Sequence, residues 1–532
     1  MPHVVTQSCC SDASCVFACP VNCIHPTPDE PDFLTAEMLH IDPQSCVDCG
    51  ACVSACPVDA IVPQAKLTEA QLPFLTINAD FYKQERPPRP ILAPVTPAAS
   101  VSRDRQPLRV AIVGSGPSAM YAADELLTQP GVNVDVYDRL PQPHGLARLG
   151  VAPDHQKTRQ VSRLFETISA QEGFTYHLGV EVGKDVTHDE LLDTHHAVIY
   201  AVGASSDREL RIPGAELPGR SSATDFVAWY NGHPDHAHRT FDLSHERAVI
   251  VGNGNVALDV ARILTMNPDA LAQTDIAPYA LDALRHSAVR EVVIVGRRGV
   301  AQSAFTVPEF AGLLTVPDID LAIDRSELAL DPVTVRLAAT DDLPHAVAQK
   351  LQLLRHVDES PDHSDGRKRI TLRYLLSPTR ILGTDRVTGI EFDRMGLSAD
   401  GDDVVRSTPT GDVDSLEAGL VLTSIGYRGV ALPGVPFDDL AGIIPNTGGR
   451  VLQESGGQTS IGSYVTGWIK RGPSGFIGTN KSCAQETVGH LVDDFNAGRL
   501  TDPIELPSTW PTGANRGTLR RSREMLSALR RS

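Results

Sequence analysis

From residue 108 onward the chain alternates short apolar runs with amphipathic stretches, the texture of parallel strands joined by crossover helices. Residues 109–113 (RVAIV) read as a buried strand running into the turn GSGPSA at 114–119, with a helix expected through Leu127. A second strand at 133–137 (NVDVY) ends in Asp138. The same order recurs downstream: RAVIV at 247–251 leads into GNGNVA at 252–257, and the helix that follows carries Asp259 and Arg262. Its next strand, EVVIV at 291–295, ends in Gly296, Arg297 and Arg298. Two further strand-to-glycine elements, 198–203 and 421–426, look like the ends of the first dinucleotide segment and of an inserted domain. The expected fold is therefore α/β, with two Rossmann-like dinucleotide-binding domains. The first would use residues 108–212 and 436–500, and the inserted one 213–435. Residues 83–107 are Pro-rich and aperiodic, and are expected to be a semi-extended linker that tethers a small α+β domain at 1–82. Residues 501–532 are left as a tail.

Cysteine spacing defines the chemistry of the first 82 residues. Nine of the ten cysteines lie among the first 56 residues. Cys46, Cys49, Cys52 and Cys56, the last followed by Pro57, keep the spacing of bacterial iron–sulfur ligands, in which the fourth cysteine serves the other cluster. Cys9, Asp12, Cys15 and Cys19, followed by Pro20, repeat that spacing with an Asp where a Cys would stand. A short loop with thiolates two residues apart wraps three corners of one cubane, and the next Cys points toward the second. By that rule Cys46, Cys49, Cys52 and Cys19 hold one [4Fe–4S] cluster. Cys9, Cys15 and Cys56 hold the other, its fourth iron facing Asp12. A carboxylate is a harder, weaker ligand for that iron than a thiolate, so this cluster is expected as [3Fe–4S] or as a labile [4Fe–4S]. Cys10 and Cys23 read as buried non-ligands. Structural zinc rarely uses this double spacing, and a disulfide framework needs an oxidising compartment, whereas MPHVVTQSCC carries no leader signal.

The formal charge of −19 is unevenly spread. Residues 1–82 carry ten acids against Lys66 alone. At the other end Arg516, Arg520, Arg521, Arg523, Arg530 and Arg531 face only Glu524. An acidic carrier domain docks on basic surfaces and repels nucleic acid. The basic run is expected to be a solvated helix or frayed end, with a latch onto the acidic domain as the lesser reading. No apolar run reaches the length of a membrane span. The expectation is a cytoplasmic protein with neither membrane nor nucleic acid as partner.

Glycines at 114 and 116, and again at 252 and 254, let the backbone approach a pyrophosphate at a helix N-terminus. Asp138 would accept hydrogen bonds from an adenosine ribose, which suits FAD. At the corresponding strand end Arg297 and Arg298 suit a 2′-phosphate, so the second site should prefer NADP over NAD. Two dinucleotide sites in one chain imply electrons passing between a flavin and NADP(H). No Cys occurs between 57 and 482, which excludes a dithiol partner for the flavin.

The motifs VGSGPSA, GLARLGVAPDHQ (145–156), VGNGNVALDVAR (251–262), GRRG and GWIKRGPSGFIGTNKS (467–482) resemble the adrenodoxin reductase-type ferredoxin–NADP reductases over residues 108–490. The N-terminal segment resembles a fused bacterial two-cluster ferredoxin. The resemblance implies FAD contacts from Ser118, Asp138, Leu146 and Val182, with Trp468, Gly475, Phe476 and Ile477 against the flavin. It implies NADP contacts from Arg208, Asn253, Gly254, Asn255, Val256, Arg297, Arg298, Glu309 and Gly475. His155 matches the family's histidine near the isoalloxazine, and His155 with Glu309 form the candidate catalytic pair. Two positions depart from the pattern. Ala147 replaces the usual Val, and Gly312 stands where many members carry a second acid, three residues after Glu309. The implied activity is hydride exchange between NADPH and FAD, then single electrons to the chain's own clusters, an external ferredoxin or another one-electron acceptor. A glutamate synthase small-subunit type and an NADPH-linked redox sensor are the alternatives.

Overall fold

In the computed structural model the described residues are 2–83, 90–95, 97–357, 366–400, 404–505 and 510–511. The six arginines of the basic tail lie outside them, as does 84–89 of the Pro-rich stretch.

A seven-stranded sheet has its parallel part in the order Thr459–Val465, Ala197–Tyr200, Leu108–Val113, Val132–Asp138, Phe174–Leu178. Two short antiparallel strands, Arg450–Leu452 and Asn446–Thr447, extend its first edge. The central strands are Val-, Ile- and Ala-rich because both faces are covered, and nearly every residue in them is buried. Helix Thr479–Asn496 lays Ala484, Val488, Leu491 and Phe495 into the same core as Ala119, Met120 and Ala123 of helix Pro117–Leu127. Register sets Val113 beside Tyr137 and Tyr200, so the turn at Gly114, Asp138 and Ala201 meet at one sheet edge. Ligands of doubly wound folds bind at such an edge.

A second, all-parallel sheet is ordered Arg220–Ser222, Leu420–Thr423, Arg247–Val251, Glu291–Val295, Lys368–Arg373, Ile319–Ile323. All its strands fall between those of the first sheet in sequence. An antiparallel meander, Leu376–Leu382, Gly389–Ala399 and Val405–Glu417, seals one face by burying Ile381, Ile390 and Phe392 against Val249, Val251 and Val293.

Residues 2–82 form two small ribbons, His3–Val5 with Ile61–Pro63 and Ile24–His25 with His40–Ile41, two short helices, Ser14–Ala18 and Ala51–Ala55, and a longer one, Pro73–Phe81. The arms repeat at an offset of 37 residues in backbone as well as in sequence. Ser11 and Asp48 both have φ 58°, Ala13 and Gly50 have φ 61° and 75°, and Asn22 and Asp59 have φ 47° and 49°. Left-handed backbone at a non-glycine residue costs about 1–2 kcal/mol, yet both arms adopt it at the same three places. One loop shape is imposed twice.

This unit is packed onto both dinucleotide domains. The Gly478 amide donates to the Cys10 carbonyl at 2.7 Å, and Lys157 Nζ to the Asp59 carbonyl at 3.3 Å. Glu37 accepts from the Val307 amide at 2.6 Å and pairs with Lys350 at 2.7 Å. Cys10, Val58 and Ala60 join the core beneath helix Pro117–Leu127, while Val307 and Ala311 join the iron–sulfur core. The tether expected from Pro-rich composition is, over its described residues, a strap instead. Ala93 is buried in the iron–sulfur core and Val101 in that of the first sheet, and the Pro90 carbonyl and Ser102 amide bond to Asn22 and Asn496. Composition reported the lack of periodicity but not these two apolar anchors.

Candidate redox-cofactor sites

Two cavities open inside the iron–sulfur unit. One is lined by Cys19, Cys46, Cys49 and Cys52, with Cys23 at its wall. The other is lined by Cys9, Cys15, Cys56 and Asp12, with Cys10 and Ser11. Five cysteine thiols around one pocket and four around the other, Cys23 and Cys10 included, fit iron–sulfur clusters, and backbone N–H groups already point at sulfur: Cys23 N to Cys19 Sγ at 3.4 Å, Ala60 N to Cys56 Sγ at 3.3 Å. Those two bonds are equivalent under the offset of 37. Burial pushes the Cys9 thiol up to about 11 and Cys52 to about 12, so ligation must drive deprotonation. The Cys23 thiol lies 3.5 Å from Cys19 Sγ; this contact lowers the Cys19 thiol and raises that of Cys23. Asp12 lines its cavity, but Ser14 engages both its oxygens, N to Oδ1 at 3.1 Å and Oγ to Oδ2 at 2.6 Å; Lys481 Nζ is 4.0 Å away.

The first glycine turn fits a dinucleotide. At Gly114 (φ 100°) a Cβ would lie 2.6 Å from the Ala201 carbonyl oxygen, so no other residue turns there. At Gly116, which caps helix Pro117–Leu127, a Cβ would meet nothing within 4 Å, leaving the helix N-terminus open to a phosphate. Ser118 is buried beneath Gly467, whose Cβ would come within 2.3 Å of its Oγ, so the segment 467–478 closes over the helix's first turn. Asp138 accepts from the Ser115 and Leu140 amides at 2.9 and 2.8 Å, and burial raises its carboxyl despite them. The loop bearing half-exposed Leu146 is tied to the turn by His144 N donating to Ser115 O at 3.0 Å. Trp468 Nε1 donates to the Ser474 carbonyl at 2.9 Å, and Phe476 N to Thr479 Oγ1 at 2.9 Å, which shapes the stretch holding Gly475 (φ 82°) and Ile477. Val182 is buried in the apolar cluster with Val113 and Tyr137.

The second turn repeats the device. A Cβ at Gly252 (φ 113°) would lie 2.1 Å from the Ser424 carbonyl oxygen, while Gly254 faces open space at the start of helix Asn255–Thr265. Asn253 Oδ1 accepts from Ala304 N at 3.4 Å and Asn255 Oδ1 from Thr306 N at 2.8 Å, fixing the approach to helix Val307–Leu313. Val256, one residue on, packs against the core of this domain. Arg297 and Arg298 are exposed and form no ion pair with another described residue. Arg208 is exposed and donates its amide to the Gly426 carbonyl at 3.0 Å.

Between the two turns the structure assembles a polar network. His155 Nε2 lies 3.7 Å from Glu309 Oε2 and 4.0 Å from Asp259 Oδ1. Arg262, 3% exposed, joins Asp259 at 2.8 Å to Asp154 at 2.6 Å. Burial lifts Asp259 above the usual carboxylate range with Arg262 opposing. Burial would also lift Asp154, but there Arg262 prevails and holds it low. Glu309 Oε2 further accepts from Gln7 Nε2, 302 residues away, at 2.9 Å. Sequence reasoning gave no role to Asp154, Asp259, Arg262 or Gln7. The three-residue spacing of Asp259 and Arg262 on one helix face was a usable signal; for Gln7 there was none.

A pyridine nucleotide-disulphide oxidoreductase family model matches residues 108–304, and a 4Fe-4S binding domain model matches 39–62. The chain is 56% identical over 516 residues to a probable ferredoxin/ferredoxin–NADP reductase of Mycobacterium bovis, covering 96% of this chain and 86% of that one. It is 47% identical over 410 residues to the NADPH-ferredoxin reductase FprA of Mycobacterium tuberculosis, covering 76% and 87%. The solved structure of that FprA in complex with NADPH is similar with a TM-score of 0.70 at 44% identity, covering 80% of this chain and 90% of that one.

Proposed function

The chain belongs to the ferredoxin/ferredoxin–NADP reductase family, and on that premise we propose that it oxidises NADPH and delivers single electrons through its own iron–sulfur domain. Bound FAD supplies the exchange between a hydride and two single electrons, and cysteine-held clusters supply one-electron carriers. The protein's residues bind and orient. Gly114, Gly116, Ser118 and Asp138 hold FAD, with Trp468 and 475–477 over its ring. Gly252 to Val256 take the NADPH pyrophosphate, Arg297 and Arg298 its 2′-phosphate, while His155 and Glu309 face the nicotinamide end. Cys19, Cys46, Cys49 and Cys52 hold one [4Fe–4S] cluster; Cys9, Cys15 and Cys56 hold a [3Fe–4S] or labile [4Fe–4S] cluster beside Asp12. Unlinked cysteines fit a reducing cytoplasm.

Internal delivery rests on one observation. The Cys10 carbonyl takes the Gly478 amide at 2.7 Å, so the loop of the Asp12-side site abuts the segment assigned to the flavin. Anaerobic mixing of the full-length holoprotein with NADPH, followed by flavin absorbance and low-temperature EPR, tests it. Flavin bleaching followed by cluster signals is the expected result. Bleaching with clusters that stay oxidised would refute internal delivery.

A further acceptor beyond the chain is favoured by the opposite loop. Val47 is 59% exposed and Cys49 lies at the surface, on a domain with ten acids and one base. An onward one-electron acceptor with a basic face fits that charge. A stable hetero-complex on gel filtration would instead favour the glutamate synthase-type alternative.

A further inference from the structure

Gln7 belongs to the iron–sulfur unit, yet its side chain ends in the nicotinamide-side network. Its backbone is fixed on both sides: Thr6 N donates to Ala60 O at 2.8 Å and Cys9 N to Thr6 O at 3.1 Å. From that anchored turn, two residues before Cys9, the carboxamide donates to Glu309 at 2.9 Å. Glu309 and Gly312 share one face of helix Val307–Leu313, three residues apart. A Cβ at 312 would lie 2.2 Å from Gln7 Oε1 and 2.3 Å from both Cδ and Nε2. The Gln7 carboxamide thus fills the space that any side chain at 312 would claim. The same helix is gripped at its start by Asn255 on Thr306 N and by Glu37 on Val307 N, at 2.8 and 2.6 Å.

We propose that Gln7 is a positioning residue of the nicotinamide site: its carboxamide, seated in the space left by Gly312, holds the Glu309 carboxylate beside His155. This rests on the assignment of NADPH to the inserted domain. The iron–sulfur domain is then a fixed wall of the NADP site as well as an electron carrier. Docking of that domain and NADP(H) binding stabilise each other reciprocally.

The test uses full-length holoprotein carrying Gln7→Leu, Gly312→Ala, Gln7→Ala, or Gln7→Ala with Gly312→Ala. Affinity for NADP+ is measured by titration calorimetry, and KM and kcat for NADPH with ferricyanide as acceptor. Iron content and Tm serve as integrity checks. Ala is a better helix residue than Gly, so Gly312→Ala should not lower Tm, yet its Cβ displaces the flexible Gln7 side chain. Gln7→Leu and Gly312→Ala should each weaken NADP+ binding about five- to tenfold, the low end for linked sites. In the Gln7→Ala background Gly312→Ala should add nothing, since the group it displaces is gone. Unchanged NADP+ affinity and NADPH kinetics in Gln7→Leu and Gly312→Ala, while Arg298→Ala still weakens NADP+, would overturn the role of Gln7 alone. If Arg298→Ala is itself without effect, the NADP assignment falls and takes this inference with it.

Discussion

Gly478 is where the iron–sulfur unit meets the segment proposed to cover the flavin, and replacing it by Ala perturbs that junction with little else. A Cβ at 478 would lie 2.1 Å from Asp12 N and 2.3 Å from both Asp12 Cα and Ser11 C. All three are backbone atoms, so no rotamer relieves the clash. Ordinary contact begins near 3.4 Å, so the 10–12 loop must retreat by about 1.3 Å, the gap between that distance and 2.1 Å. Overpacking of this kind costs about 1–3 kcal/mol, and the loss of the 2.7 Å bond from Gly478 to Cys10 adds about 0.5–1.5 kcal/mol. Since each 1.4 kcal/mol is about tenfold, the balance between docked and undocked iron–sulfur domain should move by one to three orders of magnitude. The assay is anaerobic stopped-flow with NADPH, comparing flavin bleaching with cluster reduction in rapid-freeze EPR samples, read as loss of a [3Fe–4S] signal or gain of a [4Fe–4S] one. Cluster reduction should slow far more than flavin reduction, and the ratio of the two rates carries the result. A variant that keeps the parent ratio would refute the claim that electrons cross at this contact.

Three further outcomes are expected. Asp12 occupies the position equivalent to Cys49, so Asp12→Cys should supply a fourth thiolate: a [3Fe–4S] parent gains one iron per chain, and a labile [4Fe–4S] parent keeps its iron count but loses its lability to chelator, with EPR line shape telling the two apart. Arg297→Ala and Arg298→Ala should each raise the KM for NADPH about tenfold or more, a charge-assisted phosphate contact being worth about 1.5–3 kcal/mol; steady-state kinetics should show NADH unaffected. Asp135 sits between His177 at 2.9 Å and His195 at 3.3 Å; burial alone would raise its carboxyl, but the two imidazoles hold it far below the usual range. A depressed folded-state value contributes stability above the unfolded value of about 4 and loses it as pH falls. Asp135→Asn should therefore lower Tm at pH 7, and the difference from the parent should begin to narrow near pH 4 and close only well below it.

What the chain made legible followed the range of the contacts involved. Glycine turns, strand ends and the cysteine loops are built from residues within a few positions of one another, so spacing alone carries their geometry. The thiols grouped by that spacing line two separate pockets, in each case with one further cysteine, Cys23 or Cys10, beside them. The network around His155 is different. Asp154 reaches Arg262 across 108 residues and Glu309 reaches Gln7 across 302, and no periodic pattern encodes such pairs. The meander at 376–417 was missed for a related reason. Its long strands expose most of their Val405–Glu417 edge and bury only a few residues such as Ile390 and Phe392, so the apolar signal is sparse. The glycine at 312 stood out only as a missing acid; its reason, the Gln7 side chain, became visible once the two domains were seen in contact.

The repeat in the iron–sulfur unit adds an asymmetry that local sequence cannot carry. Two loops of the same backbone shape, 9–13 and 46–50, hold equivalent residues at an offset of 37, yet their surroundings are opposite. In the first, Cys10, Ser11, Asp12 and Ala13 are buried; in the second, Val47, Asp48 and Cys49 are exposed. The shape comes from each arm, but the burial needs the close approach of Gly478, a glycine more than four hundred residues downstream whose lack of a side chain admits the 10–12 backbone. A symmetric carrier thereby acquires one inward and one outward face. With the inward loop closed against segment 467–478, the outward loop is the one of the two open to a second protein. A lysine introduced at exposed Gln44 should therefore weaken transfer to a basic acceptor such as cytochrome c while leaving NADPH-driven cluster reduction unchanged. Equal losses in both would mean that the two loops do not divide these roles.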